Sequence, residues 1–85
     1  MPRYFFDLFE NGSHQADIIG LDFDTLDQVR LEAMQALPSI ARDAVPKDGD
    51  RQSFTVLAKD EAGKSVYTAT LTFAGLWLGQ EKPES

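Results

Sequence analysis

The sequence contains no cysteine, so neither a disulfide nor a thiolate metal centre can hold the fold together. It has a single histidine, His14, and a zinc site needs three or four ligands, so only carboxylates could complete one. Basic residues are scarce. Eight Lys and Arg against fourteen Asp and Glu leave a net charge of −6, which argues against a nucleic acid or an anionic membrane as partner. No apolar run approaches the ~18 residues of a membrane span, and Met1-Pro2-Arg3-Tyr4 does not lead into the apolar stretch of a signal peptide. The expectation is a cytoplasmic protein. Repeats, low-complexity segments and long linkers are missing too, so the 85 residues read as one small domain. With 42% hydrophobic and 26% charged residues, the chain has the composition of a folded globule rather than a disordered segment.

What is present is strand-rich. Arg3 to Glu10 (RYFFDLFE) carries bulky apolar residues that suit a pleated surface. Asn11-Gly12 follows, a strong hairpin signal because a type I′ turn needs positive φ at both central positions. A second strand is expected from Ser13 to Ile19, ended by Gly20. A helix then starts near Asp24, capped either by Asp24 with Asp27 in the first turn or by Thr25 with Gln28 in capping-box register. Leu26, Val29, Ala33, Leu37, Ile40 and Ala44 recur at gaps of three or four, one buried stripe of an amphipathic helix. Pro38 removes the amide that would bond the Met34 carbonyl, and a kinked helix is favoured over two separate ones. Pro46 is expected to forbid continuation, because it pushes Val45 toward extended geometry. Asp48-Gly49-Asp50 makes the turn out.

Gln52 to Lys59 and Ser65 to Phe73 alternate with period two and are joined by the Gly63-containing loop, a second hairpin. Ala74 to Gly79 is apolar but punctuated by glycine, and residues 80–85 form a polar tail expected to fray. The domain therefore spans residues 1–79. Two hairpins around one helix make an α+β, two-layer ββαββ domain: a four-stranded, antiparallel-rich sheet with the Pro-kinked helix on one face. Phe54, Val56, Ala58, Tyr67, Ala69, Leu71 and Phe73 should meet Leu26, Val29, Ala33, Leu37 and Ile40.

One set of residues exceeds what a single helix can shelter. If Tyr4, Phe6 and Leu8 face the helix, Phe5 and Phe9 lie on the open side, joined by Leu57, while Leu76 and Trp77 lack an obvious place. Three readings follow. The tail could fold back so that Trp77 covers the phenylalanines, two copies could meet through the open face or the first-strand edge, or a ligand or partner could dock there.

Other motifs give less. Asp22-Phe23-Asp24-Thr25 after Ile18-Ile19-Gly20-Leu21 resembles the first motif of haloacid-dehalogenase-type phosphatases, in which one aspartate attacks phosphorus and the second acts as acid and base. That motif belongs to a doubly wound domain about twice this length, and a helix entry rich in capping acids explains the residues. A calcium loop counted from Asp22 places Leu26, Asp27 and Ala33 where ligand, glycine and glutamate are required. His14 lies in no nucleophile context and reads as a solvated turn residue. The open-face aromatics suggest a base-stacking platform, but the basic residues are dispersed among acids.

The opening Met1-Pro2-Arg3-Tyr4-Phe5-Phe6-Asp7, the Asp17-Ile18-Ile19-Gly20 step, the Leu26 to Leu37 helix, Ile40-Ala41-Arg42-Asp43 and the closing hairpin together resemble a family of short bacterial proteins carrying an uncharacterised domain. That resemblance implies no activity and no catalytic residues. From Tyr4 to Leu37 the chain is also similar to the start of HicB-type antitoxins, with Asp24-Thr25-Leu26 opening the comparable helix, which implies a protein that neutralises a partner by docking on it. The reading favoured is a non-enzymatic interaction protein, without cofactor or metal, that self-associates through Phe5, Phe9, Leu57, Leu76 and Trp77. The alternatives are an antitoxin-like partner of an enzyme and, further off, a phosphoryl-transfer enzyme using Asp22 and Asp24. Whether a small-molecule ligand binds is left open by the residues.

Overall fold

In the computed structural model, which describes residues 1–79, the elements run β1 (Arg3–Glu10), β2 (Ser13–Gln15), β3 (Leu21–Asp22), α1 (Leu26–Asp48), β4 (Arg51–Lys59) and β5 (Ser65–Ala74). The result is α+β, with one helix packed against an open antiparallel sheet. The tail at residues 80–85 lies outside the described residues. The sheet order is β2-β1-β4-β5, and β3 pairs with β1 on the same edge as β2. Five strands replace the expected four because the segment after the first hairpin does not stay paired. The two faces of the sheet follow from the period-two alternation of side chains.

Asn11 and Gly12 take φ of 50° and 89°, as the hairpin signal requires. Asn11 also extends the ladder toward β4: its N–H donates to the Ser53 carbonyl at 3.0 Å, and its Oδ1 accepts from Ser53 N at 2.9 Å. The strand expected from Ser13 to Ile19 ends at Gln15. Asp17 is the cause. Its Oδ2 accepts from the Phe6 amide at 3.0 Å, and its Oδ1 accepts from Ile19 N and Gly20 N at 3.0 Å each. The carboxylate thus stands in for a ladder partner of β1 while turning the chain, which returns as β3 with Arg3 opposite Asp22.

The helix entry is the second of the two expected caps. Thr25 Oγ1 accepts from Gln28 N at 3.2 Å, and Gln28 Oε1 accepts from Thr25 N at 3.2 Å and from Asp24 N at 2.8 Å, which satisfies amide donors the helix itself cannot. Val29, Ala33 and Leu37 form its buried stripe. Leu26, expected in that stripe, is exposed. α1 is one helix through Pro38, and contrary to expectation it also continues through Pro46 to Asp48. Both prolines lie on the exposed side, where a carbonyl deprived of its amide partner can be hydrated. On the buried side, Gln52 Nε2 donates to Val45 O at 3.0 Å and Gly49 O at 2.7 Å, tying the last turn to β4.

The core has two connected parts. Ala33 and Leu37 meet Phe54 and Val56, while Tyr4, Val29 and Ala58 pack with Phe6, Phe23, Val66 and Tyr67. Phe6 and Phe23 meet edge to face at 6.1 Å, a favourable geometry for the ring quadrupoles. The helix lies over β4 and β5. A helix about 10 Å wide cannot span a sheet whose strands are ~4.8 Å apart and number four across, so its flanks stay open. Leu71 and Phe73, expected under the helix, are exposed at 36% and 41%, while Tyr67 and Ala69 of the same strand pack against the core. No helix among the described residues is long and apolar enough to cross a membrane.

Gly20 is the position where backbone and packing coincide. Its φ is 76°, and a Cβ there would lie 2.9 Å from Arg3 Cγ, Phe5 Cε1 and Tyr4 O. Gly20→Ala therefore forces both a strained left-handed backbone and a clash with the β1 main chain. Thermal or urea unfolding is expected to show a loss of about 1–3 kcal/mol, whereas Gly12→Ala, which meets nothing within 4 Å, is expected to cost less.

Candidate interaction surface on the open sheet face

Phe5, Asp7 and Phe9 of β1 share the face opposite the helix. The register sets Lys59, Leu57 and Thr55 of β4 opposite them, and Thr68 and Thr70 of β5 opposite Leu57 and Thr55. His14 of β2 stands opposite Phe9. Phe5, Phe9 and Leu57 are each half-buried, held by neighbours in the sheet rather than by a covering element. The Phe9 ring stacks on the His14 imidazole, with centroids 4.5 Å apart and planes 8° from parallel.

The centre of the face is polar. Asp7 is 3% exposed, and its carboxylate joins four segments of the chain. Oδ2 accepts from Lys59 Nζ at 2.8 Å and lies 3.1 Å from His14 Nε2, while Oδ1 accepts from Asp17 N at 3.1 Å. A carboxylate only accepts, so His14 carries its proton on Nε2. The hydrogen bond from Lys59 drives the Asp7 pKa down from 3.8 to about 2 against the cost of burial, with help from the Asp17 amide and His14. At Asp17, burial pushes the pKa up, but the amides of Phe6, Gly20 and Ile19 outweigh it and the net shift is downward. Beyond the carboxylate, Thr55 and Thr70 share a hydroxyl hydrogen bond of 2.8 Å and Thr68 Oγ1 donates to Val56 O. The β5 side of the face is thus a threonine ladder.

The five residues singled out from the sequence separate into two groups. Phe5, Phe9 and Leu57 come together on the open face. Leu76 and Trp77 do not join them. Gly75 N is held by Asp50 O at 2.7 Å, at the end of the sheet where Arg51 pairs with Ala74, whereas Phe5 pairs with Lys59 at the other end of β4. Eight residues of strand span roughly 26 Å, more than the two residues from Gly75 to Trp77 can bridge. Trp77 is 52% exposed and Leu76 74%. Trp77 therefore does not cover Phe5.

His14, expected as a solvated turn residue, is about half exposed but engaged on both sides, by Phe9 and by Asp7. Arg3 holds the Asp22 carboxylate through Nε at 3.0 Å and Nη2 at 3.2 Å, and Asp24 opens the helix cap. Among the described residues no three His, Asp or Glu side chains converge on a cation position. Sequence reasoning passed over Asp7. The signal was there, an acid flanked by apolar residues and in phase with Phe5 and Phe9.

Fold and face together define a small two-layer α+β protein with a polar-centred, helix-free sheet surface. A family model described as "Domain of unknown function (DUF6894)" matches residues 3–72, and the chain belongs to that family. The match takes in the open face but stops before Leu76 and Trp77. No curated protein and no solved structure shows significant similarity to the chain.

The buried carboxylate gives a pH dependence whose sign is fixed. Because the Asp7 pKa in the folded state lies below its unfolded value of 3.8, its contribution is fully present above pH ~4 and is lost as pH falls toward ~2. Asp7→Asn removes that contribution. Urea unfolding at neutral pH is expected to show a loss of about 2 kcal/mol, and the acid limb of the stability–pH curve should flatten between pH ~4 and ~2.

Proposed function

We propose that the protein is a small, cytoplasmic, non-enzymatic interaction module that self-associates, with the open sheet face as its working surface. The observation that carries this reading is the placement of Phe5, Phe9 and Leu57 on the sheet face that no helix among the described residues covers. Aromatic side chains held half-buried by a rigid sheet supply contact area at little entropic cost, which is why they dominate interaction surfaces. Phe5, Phe9 and Leu57 present apolar area around the polar centre formed by Asp7, Lys59 and His14, with the threonine ladder of β5 beside them. The first strand contributes its face rather than an edge, since β1 is paired on both sides. The arrangement of Asp22 with Arg3 gives no support to a phosphoryl-transfer reading.

Light scattering of the wild type beside Phe5→Ser/Phe9→Ser tests this. The wild type is expected above the 9.5 kDa of one chain, and the double variant is expected to lose that excess mass while keeping its circular dichroism spectrum. A monomeric wild type would remove self-association from the reading.

A further inference from the structure

The two edges of the sheet are built differently. On one side β2 and β3 are only three and two residues long, interrupted by the Asp17 turn, and Asp22 of β3 is paired with Arg3 of β1. These are the devices by which proteins blunt an edge against further pairing. The other edge is β5, ten residues long, with its one register irregularity confined to the Ala58/Lys59 end. From Ser65 to Gly79 it and the segment after it carry no charged residue and no proline, in a chain of net charge −6. Beside it α1 leaves an apolar groove of about 240 Å³ lined by Met34, Leu37, Pro38, Ala69, Thr70 and Leu71.

We propose that the free edge of β5 pairs antiparallel with the β5 of a second copy of this chain, joining two sheets into one across a twofold axis. Three features select a second copy as the occupant. First, acidic chains repel, and this is the longest uncharged stretch along which two of them can meet without juxtaposing like charges.

Second, the strand is self-complementary. Residues directly opposite in an antiparallel pair share a face, so the two registers of fullest overlap place either Ala69 or Thr70 on the axis. In both, threonine meets threonine on the open face, and Leu71 meets Ala69 or Tyr67 on the helix face. A twofold axis perpendicular to the sheet keeps both helices on one side. The Met34–Pro38–Leu71 groove of each copy then faces its equivalent across the seam.

Third, the apolar area is of the right size. Met34, Leu71, Phe73, Leu76 and Trp77 are 48%, 36%, 41%, 74% and 52% exposed. Together they amount to several hundred Å² per copy, so two copies approach the ~1,200 Å² at which specific interfaces begin.

This pairing rests on the self-association proposed above but uses a different surface, and it leaves both open faces side by side on one continuous sheet. The test is to compare Leu71→Lys and Thr72→Lys with Phe5→Ser/Phe9→Ser by light scattering, with circular dichroism as the control for folding. Both positions are exposed, and a lysine on a sheet edge blocks pairing without disturbing the protomer. Each lysine variant is expected at half the wild-type mass.

Because the chain has no cysteine, Ala69→Cys and Thr70→Cys each introduce a unique thiol. One of the two is expected to cross-link copies on mild oxidation, since residues facing across the axis fall within disulfide reach. A dimer that survives both lysine variants and dissociates only in Phe5→Ser/Phe9→Ser overturns the edge pairing and keeps the face. A dimer lost only in the lysine variants does the reverse. A monomeric wild type overturns both.

Discussion

One buried carboxylate ties the sheet together. Asp7 sits in the middle of the central strand, and its two oxygens reach β2 through His14, the Asp17 turn through a main-chain amide, and β4 through Lys59. A carboxylate removed from water is costly unless its lone pairs are filled, and here each partner arrives from a different segment. The charge is tolerable only when those segments are all in place. That makes Asp7 a condition on the fold as much as a contact within it. The neighbouring Asp17 plays the reciprocal part, spending its side chain on three amides that β1 and its own turn would otherwise leave open.

The same arrangement explains why the open face is not simply greasy. A strand with rings on both sides looks, in sequence, like an excess of hydrophobic surface. In the folded chain Phe9 lies flat against His14, while Phe5 stands opposite Lys59 in the sheet with its ring edge close to Gly20. Half-burial of this kind fixes the rings in place without hiding them. A surface meant for another molecule needs that combination, because side chains already ordered lose little freedom on contact.

Much of the architecture was legible because it is written in local periodicity. The RYFFDLFE strand, the Asn11-Gly12 turn, the Thr25/Gln28 cap and each strand of the second hairpin follow from spacing over fewer than a dozen residues. The failures lie where a distant group decides. Residues 16–19 resemble strand until the Asp17 carboxylate captures three amides. Pro46 resembles a stop until its exposed position and the Gln52 side chain are known. Leu71 and Phe73 share a strand and an alternation with Tyr67 and Ala69, yet only the latter two pack against the core, and how far along the strand the helix covers it is a matter of tertiary packing that alternation does not encode. The candidate face was half visible: Phe5, Phe9 and Leu57 came from the pattern, but Leu76 and Trp77 were grouped with them only because they shared a lack of cover. Membership of the DUF6894 family matches the resemblance carried by the opening residues, and it adds no chemistry to them.

Strand order also governs how the chain must assemble in time. β1 is made first but belongs in the middle, and its partner β4 follows only after the whole helix, with Phe5 waiting for Lys59. At roughly 5–20 residues per second on a ribosome, that interval lasts several seconds. During it the most aromatic segment of the protein has only the small hairpin for company. Pairing across so long a loop is slow compared with helix formation, so α1 is positioned to form early and shelter Tyr4 and Phe6 before the sheet closes. The placement of the first strand thus makes the nascent chain, rather than the finished molecule, the stage at which this protein is most exposed to aggregation.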